Sequence, residues 1–342
     1  MEEFDLPAPR DGDMVVEIGL GGVCGTDLHL TQGHLSVPTP LVVGGVDLDG
    51  LGQPLHVGDP VSWSSNIPCG RCYYCEHGRE PTLCNDRKVY GVTRGAEQWP
   101  HLSGTWADHI YLEAGTTVVR LADELDPLDV IALGCAGPTV VHALRLTRVN
   151  VGSYVVVQGA GPVGIAAAIY SRVAGAGAVI MVGGPAARLE TAREIGAAST
   201  YLDIFKLTDP LDRAAAVCAL TPRQRGADVV IECTGVPEAV AEALDLVRPG
   251  GTIVVLGQYS DAGQAPLNPH LITRKQVRLQ GSLAYSARDF LDYISSIPRL
   301  TERFELRRLV ASYPLEDVGA ALADVREGAV VKAALTTRSS VR

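Results

Sequence analysis

The sequence predicts an α/β protein in which a β-rich N-terminal part accompanies a doubly wound parallel sheet. Residues 1–145 hold short apolar runs separated by Gly, Pro and Asp, a texture typical of short strands and tight turns. From about residue 150 onward, compact apolar runs alternate with helical stretches, which indicates βαβ units and a sheet covered on both faces. The length of 342 residues is sufficient for two domains.

The predicted elements follow the chain in a regular order. Short strands open the N-terminal part, for example at Met14–Val16 and Leu41–Val43. Five apolar runs predict the parallel sheet: Tyr154–Val157, Ala178–Val182, Ala227–Ile231, Thr252–Leu256 and Val277–Leu279. Helices are predicted in an Ala-rich stretch that ends at Ala176, at Ala187–Ile195 and at Pro237–Val247. The tail from residue 285 is predicted to hold a helix at Ala287–Ile297, a strand at Leu309–Tyr313, a helix at Leu315–Arg326 and a strand at Val330–Leu335.

Charge and composition narrow the classes of function. The net charge of −10, without a basic cluster, argues against nucleic acid and anionic membranes as partners. No apolar run approaches the ~18–20 residues of a membrane span, and the first nine residues lack the apolar block of a signal peptide. The eight cysteines are therefore expected to stay reduced and available for metal binding or catalysis. These features predict a cytoplasmic enzyme with a small-molecule substrate.

A glycine-rich loop follows the first strand of the predicted sheet. The residues Gly159-Ala-Gly161-Pro162-Val163-Gly164 fit the pattern G-x-G-x-x-G between an apolar strand and a helix. The first glycine allows a tight turn, the second lets the backbone approach a pyrophosphate, and the third lets helix and strand pack closely. The N-terminus of the helix then binds the anion. Because the loop lies within a run of βαβ units, the sequence predicts a dinucleotide-binding site.

The end of the second strand bears on the choice between NAD and NADP. An acid roughly 20 residues after the loop would bind the ribose hydroxyls of NAD. Here the strand ends in Val182-Gly183-Gly184-Pro185, with Arg188 close behind. The lack of a carboxylate removes repulsion against a 2′-phosphate, and Arg188 is a candidate contact for it, although it could equally be a solvated helix residue. The expectation is NADP or NAD, with NADP slightly favoured.

Four cysteines are spaced like the ligands of a metal ion. Cys69-Gly-Arg-Cys72-Tyr-Tyr-Cys75 is followed by Cys84, the spacing of a Cys₄ zinc site. The alternative, a disulfide framework, fits neither the expected compartment nor three cysteines within seven residues. Four thiolates leave no open coordination position, so the predicted zinc is structural.

Together with further segments, these motifs resemble the medium-chain dehydrogenase/reductase family, in its zinc-containing alcohol and polyol dehydrogenase branch. The segments are Cys24-Gly-Thr26-Asp27-Leu-His29, Gly104-Thr-Trp-Ala-Asp108, Gly134-Cys135-Ala-Gly-Pro-Thr139, Glu232-Cys-Thr-Gly235 and Arg248-Pro-Gly-Gly251. The resemblance implies a GroES-like catalytic domain at residues 1–145 with a structural-zinc lobe at 69–84. It further implies a Rossmann NAD(P)-binding domain at 146–284 and a return to the catalytic domain at 285–342. The active site would lie in the cleft between the domains, and family members are homodimers or homotetramers.

The resemblance also implies roles for individual residues. Cys24 and Cys135 match the two catalytic-zinc thiolates, Thr26 the hydroxyl that bonds the substrate oxygen, and His29 the outer end of a proton relay. Thr139 matches a residue that packs against the nicotinamide. Further cofactor contacts are expected at Gly183, Arg188, Thr234 and Gly257. The candidates for an aromatic cleft wall are Trp63, Trp99, Trp106, Tyr259 and Tyr285, and the alternative is that several of them are core or subunit-contact residues. The alternative is that the two cysteines are buried apolar thiols and that Thr26 and His29 only bond backbone groups.

The sequence departs from the family where members read Gly-His-Glu, whose His is the third ligand of the catalytic zinc. This chain instead reads Gly44-Gly45-Val46-Asp47. Such a site needs three protein ligands and an open position, and two thiolates alone would hold the ion weakly. Asp47 or Asp49 is a candidate substitute, and His34 and His56 flank the region. The expectation is one structural zinc and no catalytic zinc.

Three functions remain open at this point. The favoured one is an NAD(P)H-dependent oxidoreductase without catalytic zinc that reduces an activated C=C, C=N or C=O bond of a specialised small molecule. Such acceptors are already electron-poor and need less Lewis acidity. The second is a conventional zinc-dependent alcohol or polyol dehydrogenase with a substitute ligand. The third is a non-redox enzyme, or a cofactor-binding pseudoenzyme, on the same scaffold.

Overall fold

The N-terminal part is built from short antiparallel strand pairs, in a computed structural model that describes residues 2–32, 50, 55–56 and 58–337. Its strands are β1 (Met14–Glu17), β2 (Leu20–Val23), β3 (Val61–Trp63), β4 (Asn66–Ile67), β5 (Lys88–Val89), β6 (His109–Leu112) and β7 (Val118–Arg120). Strand β1 pairs with β6, β3 with β7 and β4 with β5. Between them lie α1 (Gly25–Thr31), α2 (Tyr73–Glu76), the 3₁₀ helix Pro81–Leu83 and α3 (Pro127–Ala132). The strand predicted at Leu41–Val43 lies outside the described residues.

A six-stranded parallel sheet forms the middle of the chain, after helix α4 (Ala136–Leu146). Its strands are β8 (Tyr154–Gln158), β9 (Ala178–Gly183), β10 (Thr200–Asp203), β11 (Ala227–Glu232), β12 (Val247–Val255) and β13 (Arg278–Gly281). The helices are α5 (Pro162–Val173), α6 (Ala186–Glu194), α7 (Pro210–Ala219), α8 (Pro237–Leu246) and α9 (Pro269–Lys275), with a 3₁₀ turn at Pro222–Gln224. The strand order is β10-β9-β8-β11-β12-β13, so the winding reverses between β8 and β11. A crevice for a ligand opens at such a switch point.

The tail of the chain returns to the N-terminal part. It contains α10 (Ala287–Thr301), β14 (Val310–Pro314), α11 (Val318–Glu327) and β15 (Lys332–Thr336), with 3₁₀ turns at Leu306–Leu309 and Leu315–Asp317. Strand β15 pairs parallel with β14 and antiparallel with β2, which makes a three-stranded sheet from both ends of the chain. The α/β class, with a β-rich part and a doubly wound parallel sheet, is therefore confirmed. The sequence did not predict β10, α7 and α9.

Proline and short polar caps start many of the helices. Helices α3, α5, α7, α8 and α9 each carry proline in the first turn, where the missing N–H has no helical partner. The side chains of Asp126, Asp209 and Asn268 each accept a hydrogen bond from a backbone N–H of the helix that follows. These signals are local, and they explain why helices begin directly after the strands and loops that precede them.

Alternate residues of β8 enter the cores on the two faces of the sheet. Val155 and Val157 belong to one hydrophobic cluster and Val156 to the other, and all three are fully buried. The first cluster also holds Ile165 and Ile169 of α5, whose burial contributes roughly 1.5–3 kcal/mol each. Both faces of the sheet are thus covered, as the apolar strands predicted. In the described part of the chain, no helix combines the length and apolar character needed to cross a bilayer.

A buried carboxylate joins the helix before the sheet to the helix after it. Asp289 is fully buried at the start of α10, where it accepts hydrogen bonds from Ser286 in a capping box. Its Oδ2 lies 3.1 Å from His142 Nδ1, and its Oδ1 lies 2.6 Å from the Arg145 guanidinium, both on α4. Burial alone would raise the pKa of Asp289, but the hydrogen bonds from His142 and Ser286 lower it overall.

We expect Asp289→Asn to lower the free energy of unfolding at pH 7 by about 2–4 kcal/mol, because an amide cannot replace the charge beside Arg145. Since the folded state lowers the pKa of this carboxyl, its contribution is present above the ordinary value of about 3.9 and fades as the pH falls below it. Urea unfolding of both proteins at pH 7 and pH 3.5 measures this. A difference that is equal at the two pH values would contradict the assignment. The control is Asp292→Asn, which removes an exposed pair with Arg145 and should change stability by about 0.5 kcal/mol or less.

Candidate active site and cysteine lobe

The glycine loop leaves open space in front of the N-terminus of α5. Gly159 has a φ of +109°, and a Cβ on Gly164 would lie 2.1 Å from the carbonyl oxygen of Gly159. By contrast, a Cβ on Gly161 would meet no atom within 4 Å. Pro162 opens the helix and Val163 lines the main cavity of the protein. The loop therefore fits a dinucleotide, whose pyrophosphate binds at this point of a βαβ unit.

The ends of β11 and β12 close on the same loop. The carboxylate of Glu232, which is fully buried, accepts hydrogen bonds from the backbone N–H of Thr234 at 2.5 Å and its hydroxyl at 2.6 Å. A Cβ on Gly257 would lie 2.5 Å from the nitrogen of Gly235, and one on Gly159 would lie 3.1 Å from the carbonyl oxygen of Cys233. Thr234 thus lies beside Gly159, and Gly257 lies beside Thr234. Their contact with a cofactor stays a prediction.

The end of β9 has no carboxylate that could bind the ribose hydroxyls of NAD. The nearby guanidinium, that of Arg188, already donates hydrogen bonds to the protein backbone. A Cβ on Gly183 would lie 2.8 Å from the nitrogen of Ala160, so this strand end packs directly on the glycine loop. The half-buried Arg188 donates to the carbonyl oxygens of Val330, at 3.3 Å, and Val325. Arg188 therefore ties α6 to the tail through backbone carbonyls. Its role toward a 2′-phosphate stays a prediction.

Cys24 and Cys135, far apart in sequence, meet at the starts of two helices. Cys24 is the N-cap of α1, and its backbone N–H donates to Asp27 Oδ2 at 2.6 Å. Cys135 is the N-cap of α4 and has a φ of +68°, a conformation that costs a non-glycine residue about 1–3 kcal/mol and clusters at functional sites. The two thiols are close enough for each to shift the pKa of the other.

Charge is concentrated around this pair of cysteines. The interaction between the two thiols raises the pKa of Cys24 and lowers the pKa of Cys135. Burial raises the pKa of Asp27, which is 3% exposed. The positive charge of Lys332, on β15 and also 3% exposed, favours the ionised form of all three groups. A buried cation thus balances a cluster of acidic groups.

A cavity of about 1290 Å³ opens in front of the cysteine pair, with mostly apolar walls. Thr26 and Thr139 line it, and the Thr139 hydroxyl donates to the carbonyl oxygen of Cys135 at 2.8 Å. His29 lies outside this lining, and its Nδ1 is 3.3 Å from the hydroxyl of Ser260. Thr26, Thr139, Cys24 and Cys135 are therefore brought together around one cavity, and His29 connects this region to the loop after β12.

Within the described residues, a catalytic zinc would find two ligands. The groups of three or more ligand atoms within reach of one ion include the four-cysteine lobe but no set containing Cys24 and Cys135. Asp47, Asp49 and His34, the candidate substitutes and their neighbour, lie outside the part of the chain that the structure describes. The His56 side chain is 76% exposed and lies 3.6 Å from Asp59. The described donors thus fit such an ion only in part, and no reaction step is assigned to it.

The four-cysteine lobe has the geometry of a closed zinc site. The sulfur atoms of Cys69, Cys72, Cys75 and Cys84 all lie within 4.8 Å of one another. Four thiolates around one zinc ion would be about 3.8 Å apart, given Zn–S bonds of about 2.3 Å. The Cys69 N–H donates to the Cys84 sulfur at 3.2 Å, and the N–H of Cys75 lowers the pKa of the Cys72 thiol to about 6. The residues therefore fit a structural zinc ion.

Sequence reasoning missed several polar groups of the site. Lys332 is the one charge in the apolar run Val330–Leu335, a signal that could have marked it. Asp27 occupies the third helical position after Cys24, as in a capping box. Ser65 and Ser260 carry no local signal, because only the fold brings them to the cavity region.

Comparison with known proteins places this geometry in a family. The model of the alcohol dehydrogenase GroES-like domain matches residues 10–123, and that of the zinc-binding dehydrogenase matches residues 162–299. The 5-exo-hydroxycamphor dehydrogenase of Pseudomonas putida is 31% identical over 349 residues, covering 97% of this chain and 94% of that protein. An alcohol dehydrogenase structure from Thermotoga maritima has a TM-score of 0.91 at 31% identity, covering 98% of this chain and 95% of that one. A Sinorhizobium meliloti protein described as a zinc-binding dehydrogenase, bound to NADP, has a TM-score of 0.83 at 25% identity, covering 97% and 94%.

The chain is thus an oxidoreductase of the alcohol dehydrogenase type. It belongs to the medium-chain dehydrogenase/reductase family, in the branch of zinc-containing alcohol dehydrogenase-like proteins. The family and the class of enzyme predicted from the sequence motifs are confirmed.

We expect Gly161→Ala to weaken binding of NADH and NADPH at least about tenfold, because its methyl group would enter the open space that fits the pyrophosphate. The melting midpoint should not change, since the Cβ meets no protein atom within 4 Å. Fluorescence titration and thermal unfolding measure the two effects. Gly319→Ala is the matched control, because its Cβ also enters open space, but on the exposed side of α11. Equal cofactor affinity in both variants would contradict the assignment of the loop.

We expect Cys84→Ser to release the zinc of the lobe and to lower the melting midpoint by about 5 °C or more, because three thiolates cannot complete the tetrahedral site. Elemental analysis and thermal unfolding test this. Cys218→Ser, at a half-buried thiol in α7, should keep the zinc content of the wild type. Loss of zinc from the Cys218 variant alone would overturn the assignment.

Proposed function

We propose that the chain is an NAD(P)H-dependent oxidoreductase, without a catalytic zinc ion, that reduces an activated C=O, C=C or C=N bond of a largely apolar small molecule. The observation that carries this proposal is that Val163 of the glycine loop and the Cys24–Cys135 pair line one mostly apolar cavity. The described residues supply that pair with no third ligand. An electron-poor acceptor needs the least help from a Lewis acid, so this class of substrate suits the site best.

Some residues around the cavity would bind the cofactor in such a reaction, and others would bind the substrate. Bound NAD(P)H supplies the hydride. The loop Gly159–Gly164 and the N-terminus of α5 would hold its pyrophosphate, and Thr139 would pack against its nicotinamide. On the substrate side, the Thr26 hydroxyl would bond the oxygen of the acceptor, and His29 would hold a proton at the outer end of the path. The mostly apolar walls would limit the water around the reacting atoms.

The proposed cofactor is NADP(H), with NAD(H) accepted nearly as well. The end of β9 carries no carboxylate to repel a 2′-phosphate, and the S. meliloti relative binds NADP. Because the Arg188 guanidinium donates to backbone carbonyls, the preference should be small. We further propose a cytoplasmic homodimer or homotetramer, since every residue of β13, at the edge of the large sheet, is exposed.

The second candidate is a conventional zinc-dependent alcohol or polyol dehydrogenase. It is favoured by the meeting of Cys24 and Cys135 and by relatives that are named alcohol dehydrogenases. Asp47 or Asp49 would then supply the third ligand. The same cavity would receive an alcohol whose oxygen is bound by the metal.

Elemental analysis of zinc per chain, on protein purified without added metal, separates the two candidates when combined with titration by NADH and NADPH. We expect one zinc ion per chain, binding of both cofactors, and NADPH oxidation with enones, ketones or imines. Two zinc ions per chain, with loss of one in Asp47→Ala or Asp49→Ala, would establish the second candidate instead. Asp123→Ala, which removes an exposed acid paired with Arg120, is the control for charge alone. A protein that binds neither cofactor would refute both.

A further inference from the structure

Tyr285 reaches into the cavity from the loop that follows β13. Its side chain is 5% exposed and lines the cavity together with Ser282, Leu283 and Ala284 of the same loop. Ala284, immediately before it, has a φ of +53°, a left-handed conformation that is uncommon for alanine and typical of residues held in place for function. The hydroxyl oxygen of Ser282 is buried and has no hydrogen-bond partner within the described residues. The loop therefore brings Tyr285 to the cavity directly after a residue in a strained conformation.

Hydrogen-bonding groups of Ser65 and Asn66 lie around the hydroxyl of Tyr285. The backbone N–H of Ser65 donates to it at 3.3 Å, and the Ser65 hydroxyl lies 2.8 Å away. The amide of Asn66 donates to the Ser65 hydroxyl oxygen at 3.2 Å. Because that oxygen already accepts from Asn66, we take the Ser65 hydroxyl as the donor of its 2.8 Å bond with Tyr285. The N–H and the hydroxyl of Ser65 then fill the two lone pairs of the phenolic oxygen, which leaves the phenol proton for a ligand in the cavity.

The phenol is protonated at neutral pH. Burial, together with the charge of Cys135, raises the pKa of Tyr285 to about 12. The phenol and the cysteine pair line the same cavity. The Ser65 and Asn66 donors act in the opposite direction, because they stabilise the negative oxygen that remains once the proton has left. The surroundings thus keep Tyr285 protonated and also stabilise the phenolate that forms when it gives up its proton.

We propose that Tyr285 is a catalytic residue that donates a hydrogen bond, and then its proton, to the carbonyl oxygen of the acceptor. The inference rests on the proposed function and adds the acid that completes it. The hydride brings two electrons to the acceptor carbon, the C=O π bond opens, and its oxygen takes the proton as the Tyr285 O–H bond breaks. Ser65 and Asn66 stabilise the phenolate, a proton from solvent restores the phenol, and oxidised cofactor leaves.

The first test is Tyr285→Phe, which removes the hydroxyl and keeps the ring. With a ketone or enone that the wild type reduces, we expect kcat to fall about 100-fold or more, with NADPH affinity changed less than twofold. Ser65→Ala, which removes one donor to the phenolate, should lower kcat about tenfold. Tyr170→Phe is the matched control, because Tyr170 is equally buried and bonds a serine, Ser296 at 2.7 Å, outside the cavity lining. Wild-type kcat in Tyr285→Phe would overturn the proposal.

A second test needs no turnover and covers the case in which no substrate is found. Isobutyramide has a carbonyl group that accepts hydrogen bonds but is not reduced by hydride. We expect it to bind the NADPH complex of Tyr285→Phe at least tenfold more weakly than the wild-type complex, with Tyr170→Phe unchanged. Equal binding by all three proteins would refute the role of Tyr285 at a carbonyl oxygen. By contrast, failure of the wild type to bind NADPH would refute the proposed function itself.

Discussion

The close approach of backbone segments at one edge of the parallel sheet is the constraint on which the cofactor site depends. At Gly164, Gly183 and Gly257, an added Cβ would lie 2.1, 2.8 and 2.5 Å from neighbouring backbone atoms. No side chain fits at such distances, so only glycine lets the ends of β8, β9, β11 and β12 converge. At Gly161 the same loop faces open space. The site for a pyrophosphate is therefore the gap that remains where the strand ends meet.

Buried charge shapes the opposite wall of the cavity. Cys24 and Asp27 lie in the first turn of α1, Cys135 precedes α4, and Lys332 reaches them from β15. Burying acidic groups is expensive unless cations and hydrogen-bond donors accompany them, and here the tail of the chain provides the cation. The pairing of β15 with β2 thus has a chemical consequence, because it carries an ammonium group into the site. The same arrangement serves a metal ion or a metal-free reaction.

Features specified by local sequence could be predicted, and those specified by distant contacts could not. The glycine loop, the cysteine lobe and the long apolar strands depend on spacing within a few residues, and the structure contains the strands and loop where expected. Strand β10 escaped prediction because its four residues are all half-buried and show no apolar run. Other contacts join residues more than 130 positions apart in the sequence. They are the contacts of Arg188 with Val325 and Val330, and the contact of Ser65 with Tyr285. Spacing along the chain therefore does not predict these contacts.

The cavity has a cofactor wall and a substrate wall, and the sequence specifies the two in different ways. This difference determines which wall can change when the substrate changes. The cofactor wall is fixed by glycines whose neighbours are backbone atoms, so its shape depends little on the surrounding side chains. The substrate wall is assembled from β3, β4, the loop after β13 and the tail, whose side chains meet only in the folded chain. Tyr285 and Ser65 join two of these parts through a hydrogen bond of 2.8 Å. A change of substrate can therefore arise from side chains on one wall while the hydride source on the other stays in place.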